Sequence, residues 1–183
     1  MKPNVRAVGI ALGGGGVRGL GHIPVLETLD ACGIKPIAMA GTSMGAILGV
    51  LYAAGMSGRE IRSFVGEHIV ARGDGIKDLY AKRAGLMRWV TAVRFPWTGK
   101  GWLRADRFLR YLIEQMQVTR FEDLKIPLRV ETVTEAKIEK HPPDLYFNPG
   151  LVGIRLLDFD KAEEVIRQAE AAVPKLKERL MAV

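Results

Sequence analysis

A serine flanked by two glycines, in the run Gly41-Thr42-Ser43-Met44-Gly45, stands where an aliphatic stretch suited to a strand meets one suited to a helix. The backbone must turn sharply at such a junction, and side chains at the flanking positions would clash there, so the spacing calls for a strand, a tight turn and a helix in that order. The same bend pushes the Ser43 hydroxyl into the open. With three serines and 21 glycines in 183 residues, chance would give about 0.04 such matches, so the pattern is informative and its setting decides its meaning.

The setting is apolar. Pro36 to Gly58 carries no charged residue, and Gly41, Gly45 and Gly49 fall at the four-residue spacing of a transmembrane packing face. Pro36, five glycines and the polar pair Thr42-Ser43 interrupt that run, and a strand, a sharp turn and a buried helix account for it better than a membrane span does.

Around this unit the periodicity predicts an ordered series. Val5 to Leu12 reads as a buried strand ending at four consecutive glycines, and His22 to Ala31 as a helix with Ile23, Leu26 and Leu29 on one side and Gly33 as its stop. Pro36 to Ala40 reads as a second strand, and Met44 to Ala54, apolar on every side, as a helix buried between layers. Ser57 is a suitable N-cap for a helix from Arg59 to about Ala71, and Phe108, Leu112 and Met116 mark an amphipathic helix over Arg104 to Met116. Ile126 to Val133 reads as a third strand and Tyr146-Phe147 as a short fourth. Asp158 or Asp160 is placed to cap a closing helix toward Arg179, which Pro174 is expected to kink or split. Strands alternating with helices imply a parallel sheet.

Length and composition suit one globular domain spanning 1–183. Met1 to Arg6 leads directly into the first strand without a separate apolar region and cleavage site, so the expectation is a cytoplasmic protein. Cys32 is the only cysteine, which excludes an intrachain disulfide and a cysteine-built metal site. The net charge of +7 suits an anionic surface, but the basic residues are scattered, which argues against nucleic acid as the partner.

The glycines before the first helix admit two readings. Gly14-x-Gly16-x-x-Gly19 after a strand fits a dinucleotide loop, yet the following strand ends in Met39-Ala40-Gly41 with no carboxylate to hold a ribose. Paired with a serine at the end of the next strand, the same glycines make better sense as backbone amides aimed at a carbonyl oxygen under attack.

Together, Gly14-Gly15-Gly16-Val17-Arg18-Gly19, His22-Ile23-Pro24-Val25-Leu26 and Gly41-Thr42-Ser43-Met44-Gly45 resemble the patatin-like phospholipases, especially their short bacterial members. Phe121-Glu122-Asp123-Leu124, Ile126-Pro127-Leu128 and the stretch Asp144 to Ala162 resemble later parts of that family. The resemblance implies a three-layer α/β domain, a mostly parallel sheet with helices on both faces, whose site lies at the C-terminal strand ends. It implies Ser43 as nucleophile, the amides of Gly14, Gly15, Gly16 and Met44 as oxyanion donors, and Arg18 as a contact for an anionic headgroup or a structural ion pair. The substrate it implies is a lipid acyl ester met at a membrane surface, with no metal or organic cofactor.

The family's serine works with an aspartate in a downstream Asp-Gly-Gly or Asp-Gly-Ala turn, and this sequence has none there. Val130 to Thr134 passes almost directly into the C-terminal part, as if a central segment had been removed near residues 131–135. The only Asp-Gly, Asp74-Gly75, reads as a surface turn. His22 and His68 fall within helices, His141 precedes Pro142-Pro143 in a loop, and no motif supports Asp144 or Glu135 as a stand-in base. The competing expectation is therefore a non-catalytic scaffold that keeps the elbow, with self-association covering what the shortening exposes. Between Lys82 and Arg107, Arg83, Arg88, Arg94, Lys100 and Arg104 alternate with Trp89, Phe95, Trp97 and Trp102, a mixture suited to a lipid-facing flap and equally to tryptophans packed on the core.

Overall fold

A computed structural model of the chain describes residues 7–68, 114, 118–131 and 135–182. Strand β1 (Gly9–Leu12) runs through the glycine loop into a 3-10 turn (Gly16–Gly21) and helix α1 (His22–Cys32), which Gly33 ends in the left-handed conformation. Strand β2 (Ala38–Gly41), helix α2 (Met44–Ala54) and helix α3 (Gly58–His68) follow, then β3 (Leu128–Val130), a short α4 (Glu135–Lys140) and the long α5 (Ala162–Ala182). The three strands form one parallel sheet in the order β1-β2-β3, with Met39 opposite both Ile10 and Leu128. Parallel pairing needs crossover connections, and α1 supplies the one between β1 and β2.

Leu12, Met39 and Leu128 share one face, and α2 lies against it at Gly49, where an added Cβ would meet Leu128 Cδ1 at 3.2 Å and Leu12 Cδ1 at 3.7 Å. Gly9, Ala11 and Ala38 occupy the opposite face and are exposed. Because α2 is enclosed by the sheet on one side and by other helices on the other, Met44, Leu48, Leu51 and Ala53 are all buried, as the lack of a polar stripe requires. Val17, Leu20, Ile23, Leu26, Ile61, Val65, Phe159 and Val165 continue the same core outward.

Polar links hold the outer helices in place. Asp30 accepts the Tyr52 hydroxyl at 2.7 Å and the Gly58 amide at 2.6 Å, joining the end of α1 to α2 and to the first turn of α3. Burial and that carboxylate push the Tyr52 hydroxyl well above the usual phenol range, so it stays protonated as a donor. Arg62 on α3 reaches Glu27 on α1 through Nε at 2.6 Å and Glu170 on α5 at 2.7 Å. Ser57 and Glu60 exchange the reciprocal bonds of a capping box, and these hold the Glu60 carboxyl below its ordinary range.

The structure departs from the expected elements: helix α4 is not among them, and β3 begins at Leu128 rather than Ile126. Tyr146-Phe147 is not a strand: the segment runs irregularly beside α5, where Arg179 Nη1 donates to the Tyr146 carbonyl and Gln168 brackets Val152. Pro174 does not split the closing helix, which runs unbroken from Ala162 to Ala182. Asp158 caps no helix; its carboxylate accepts the Arg155 amide instead. The amphipathic helix read over Arg104 to Met116 and the basic, aromatic stretch from Lys82 to Arg107 lie outside the described residues, apart from Glu114. Among the described residues no helix is long and apolar enough to cross a membrane. The glycine spacing instead serves strand–helix contact.

That contact gives a paired prediction. A Cβ on Gly45 would fall 2.5 Å from the Gly13 carbonyl oxygen, whereas one on Gly13 meets nothing within 4 Å. Gly45→Ala is expected to lower stability by about 1–3 kcal/mol or more, with Gly13→Ala within about 1 kcal/mol of the native chain, as read from urea unfolding midpoints.

Candidate active site

The C-terminal end of β2 delivers Ser43 to the surface. Ser43 is the only non-glycine residue among the described ones with positive φ, at φ 50 and ψ −120, a conformation costing about 1–3 kcal/mol that persists only where the surroundings impose it. The surroundings do impose it. A Cβ on Gly41 would lie 2.6 Å from Ala46 Cα, and Gly45 sits against the Leu12 and Gly13 carbonyls, so the chain has no room to turn more widely. Thr42 adds a lateral tie, its amide donating to the Leu12 carbonyl at 3.0 Å and its hydroxyl to the Glu131 carbonyl.

Ser43 also begins α2, and a serine in that position ordinarily spends its hydroxyl on capping the first turn. Here it makes no cap bond; its carbonyl takes the amides of Ala46 and Ile47, and the side chain is left exposed. Among the described residues, no backbone carbonyl takes the amides of Gly14, Gly15, Gly16 or Met44. Gly14 packs directly on the elbow, an added Cβ meeting Ser43 Cβ at 3.4 Å, and Gly15 turns the loop with φ 127. The candidate residues Gly14, Gly15, Gly16, Ser43 and Met44 are thus brought together at one end of the sheet. Arg18 follows in the 3-10 turn, exposed, with its amide bonded to the Gly15 carbonyl at 3.1 Å.

The candidate bases that are described are not hydrogen-bonded to Ser43; the side chain of Glu135 lies outside the described residues. Among the described residues, no imidazole or carboxylate is hydrogen-bonded to Ser43; His141 and Asp144 lie exposed on the loop after α4, and Asp74 is outside the described residues, as is the side chain of His68. His22 has a different part, which its place in a helix did not reveal. Its Nε2 lies 2.9 Å from the Gly13 carbonyl, so the neutral ring must carry its proton on Nε2 to donate there. Desolvation of the ring holds its pKa below the ordinary 6.5, and the bond to Gly13 only partly offsets this.

An α/β chain with a parallel sheet, a glycine loop after its first strand and a strained, exposed serine after its second defines a small class of proteins. Residues 10–174 match the Patatin family, described as patatin-like phospholipase, and the chain belongs to that family. The lysophospholipase NTE1 of Mycosarcoma maydis is 30% identical over 137 residues, covering 74% of this chain and 7% of that protein. The lysophospholipase NTE1 of Cryptococcus neoformans var. neoformans serotype D (strain JEC21) is 28% identical over 136 residues, or 73% and 8%. The lysophospholipase nte1 of Aspergillus fumigatus is 50% identical over 48 residues, or 26% and 3%. The chain therefore spans less than a tenth of the length of these relatives. It is a patatin-like phospholipase domain of α/β fold.

The His22 bond makes a testable contribution. Removing the donor with His22→Leu leaves the Gly13 carbonyl unpaired and is expected to cost about 1–3 kcal/mol in urea unfolding, while His22→Gln, which keeps an Nε2 donor, retains most of it. Because the folded ring resists protonation, the unfolded chain binds that proton first, so the contribution is full above 6.5 and shrinks as pH falls below it. The native-minus-Gln difference in stability, measured across pH, should decline in that window.

Proposed function

We propose that the chain is a serine acyl hydrolase acting on lipid acyl esters, with Ser43 as nucleophile. The observation that carries this is the strained, exposed Ser43 whose hydroxyl makes no capping bond although it stands where a cap is expected. Ser43 Oγ attacks the ester carbonyl, the carbonyl oxygen becomes anionic, and the amides of Gly14, Gly15, Gly16 and Met44 receive it beside the positive end of α2. Collapse of that intermediate expels the alcohol and leaves an acyl-serine, which water then hydrolyses. Arg18 is suited to orient an anionic headgroup. Neither step calls on a metal or an organic cofactor. The names of the relatives point to lysophospholipids as the substrate class.

The proton on Ser43 needs an acceptor, and the sequence offers no Asp-Gly-Gly or Asp-Gly-Ala turn after β3. That absence favours a second reading, a patatin-like scaffold shortened near residues 131–135 that has lost catalysis. Serine hydrolases stripped of their triad still retain roughly 10³- to 10⁴-fold catalysis over water, so the two readings differ by a measurable rate. Labelling with a fluorophosphonate, alongside hydrolysis of p-nitrophenyl butyrate, is expected to mark the native chain and not Ser43→Ala, with slow turnover of about that size. No labelling of a folded native chain would establish the scaffold reading instead.

A further inference from the structure

The oxyanion loop does not end in solvent on its far side. Val17 donates its amide to the Leu156 carbonyl at 3.0 Å, and a Cβ on Gly16 would collide with that same carbonyl, so the chain around Leu156 is fastened by its backbone to the rim of the candidate site. Leu156 covers Gly16 with its carbonyl and the base of its side chain, yet 56% of it stays exposed, as does 51% of Leu157. They occupy the tip of a tight turn, closed by the Asp158 amide to the Arg155 carbonyl at 3.3 Å and by the Arg155 amide to Asp158 Oδ2 at 3.0 Å. Lys161 steadies it, pairing with Asp158 and donating to the Gly153 carbonyl at 2.8 Å.

Two adjacent exposed leucines on a turn braced at both ends form a small apolar tip fastened to the rim of the candidate site. Arg155 precedes them in the turn, Arg18 follows Val17 on the facing loop, and both are exposed. Leucines at a tip with arginines beside them match the depth profile of an anionic membrane surface, apolar below and phosphate above. A second copy of this chain fits poorly, because it would bring the same arginines and an overall charge of +7 against themselves.

We propose that the Leu156–Leu157 turn, flanked by Arg155 and Arg18, is an anchor that seats the mouth of the Ser43 site on an anionic lipid surface. Its purpose rests on the reading of Ser43 as the acyl-transfer residue, but its binding does not. The tip enters the acyl boundary, and the loop of Gly14 to Gly16, fixed to it through Val17, is presented to ester groups at headgroup depth.

Sedimentation with phosphatidylglycerol vesicles, and separately with phosphatidylcholine vesicles, tests this. The native chain is expected to bind the anionic vesicles preferentially, less so as salt rises. Leu156→Asp and Leu157→Asp should each weaken that binding tenfold or more, while Ile37→Asp, at an equally exposed apolar residue beyond the opposite end of β2, should leave it intact. Thermal melting is followed in parallel, and Leu157→Asp keeps the test open if Leu156→Asp disturbs the contact with Gly16. Native binding that fails on anionic vesicles, leucine variants that bind like the native chain, or equal loss in Ile37→Asp overturns the anchor. So does light scattering that shows a dimer dissolved by the leucine substitutions. Vesicle binding intact without fluorophosphonate labelling would sink the hydrolase reading and leave the anchor standing.

Discussion

The start of α2 crosses the end of β1 so closely that Gly45 lies against the carbonyls of Leu12 and Gly13, and the candidate site depends on that approach. It forces the turn between β2 and α2 into its tightest form, which puts Ser43 at positive φ and aims it outward. It also fixes where the glycine loop begins, so that Gly14 comes down on the elbow. A larger residue at position 45 would separate helix from strand and relax all of this together. The buried face of α2 supplies the opposing force, since Leu48, Leu51 and Ala53 keep the helix pressed into place.

Polar groups enter the fold where backbone would otherwise go unsatisfied. His22 serves the Gly13 carbonyl, Asp30 serves the Gly58 amide, and Asp158 serves the Arg155 amide. The first of these lies within the candidate site's own support. A histidine kept neutral by desolvation suits a carbonyl acceptor, and it leaves the loop's positive potential to the amides of Gly14 to Gly16 rather than to a charged ring. The match to the patatin-like phospholipase family spans both the glycine loop and the elbow at Ser43.

Much of the central unit was legible because local chemistry dictates it. Met44 to Ala54 has no polar stripe and can only be enclosed, Gly33 can only end α1, and Ser57 is a suitable N-cap for α3. Tyr146-Phe147 is not a strand for a reason local sequence does not carry: the segment lies beside α5, where Arg179 Nη1 takes the Tyr146 carbonyl. His22 was legible as helical and not as a donor to Gly13, because a contact across nine residues follows from how the loop folds back.

The sequence by itself determined the order β1, α1, β2, α2, α3, the serine-bearing elbow and the family, since each rests on periodicity or on residues adjacent in the chain. Only the tertiary structure decided that the Ser43 hydroxyl is free of capping duty, that His22 holds the Gly13 carbonyl, and that Leu156 is tied to the glycine loop. Those facts are long-range hydrogen bonds and close approaches between segments, and their geometry comes into being only when the sheet, α2 and the C-terminal segment pack against one another.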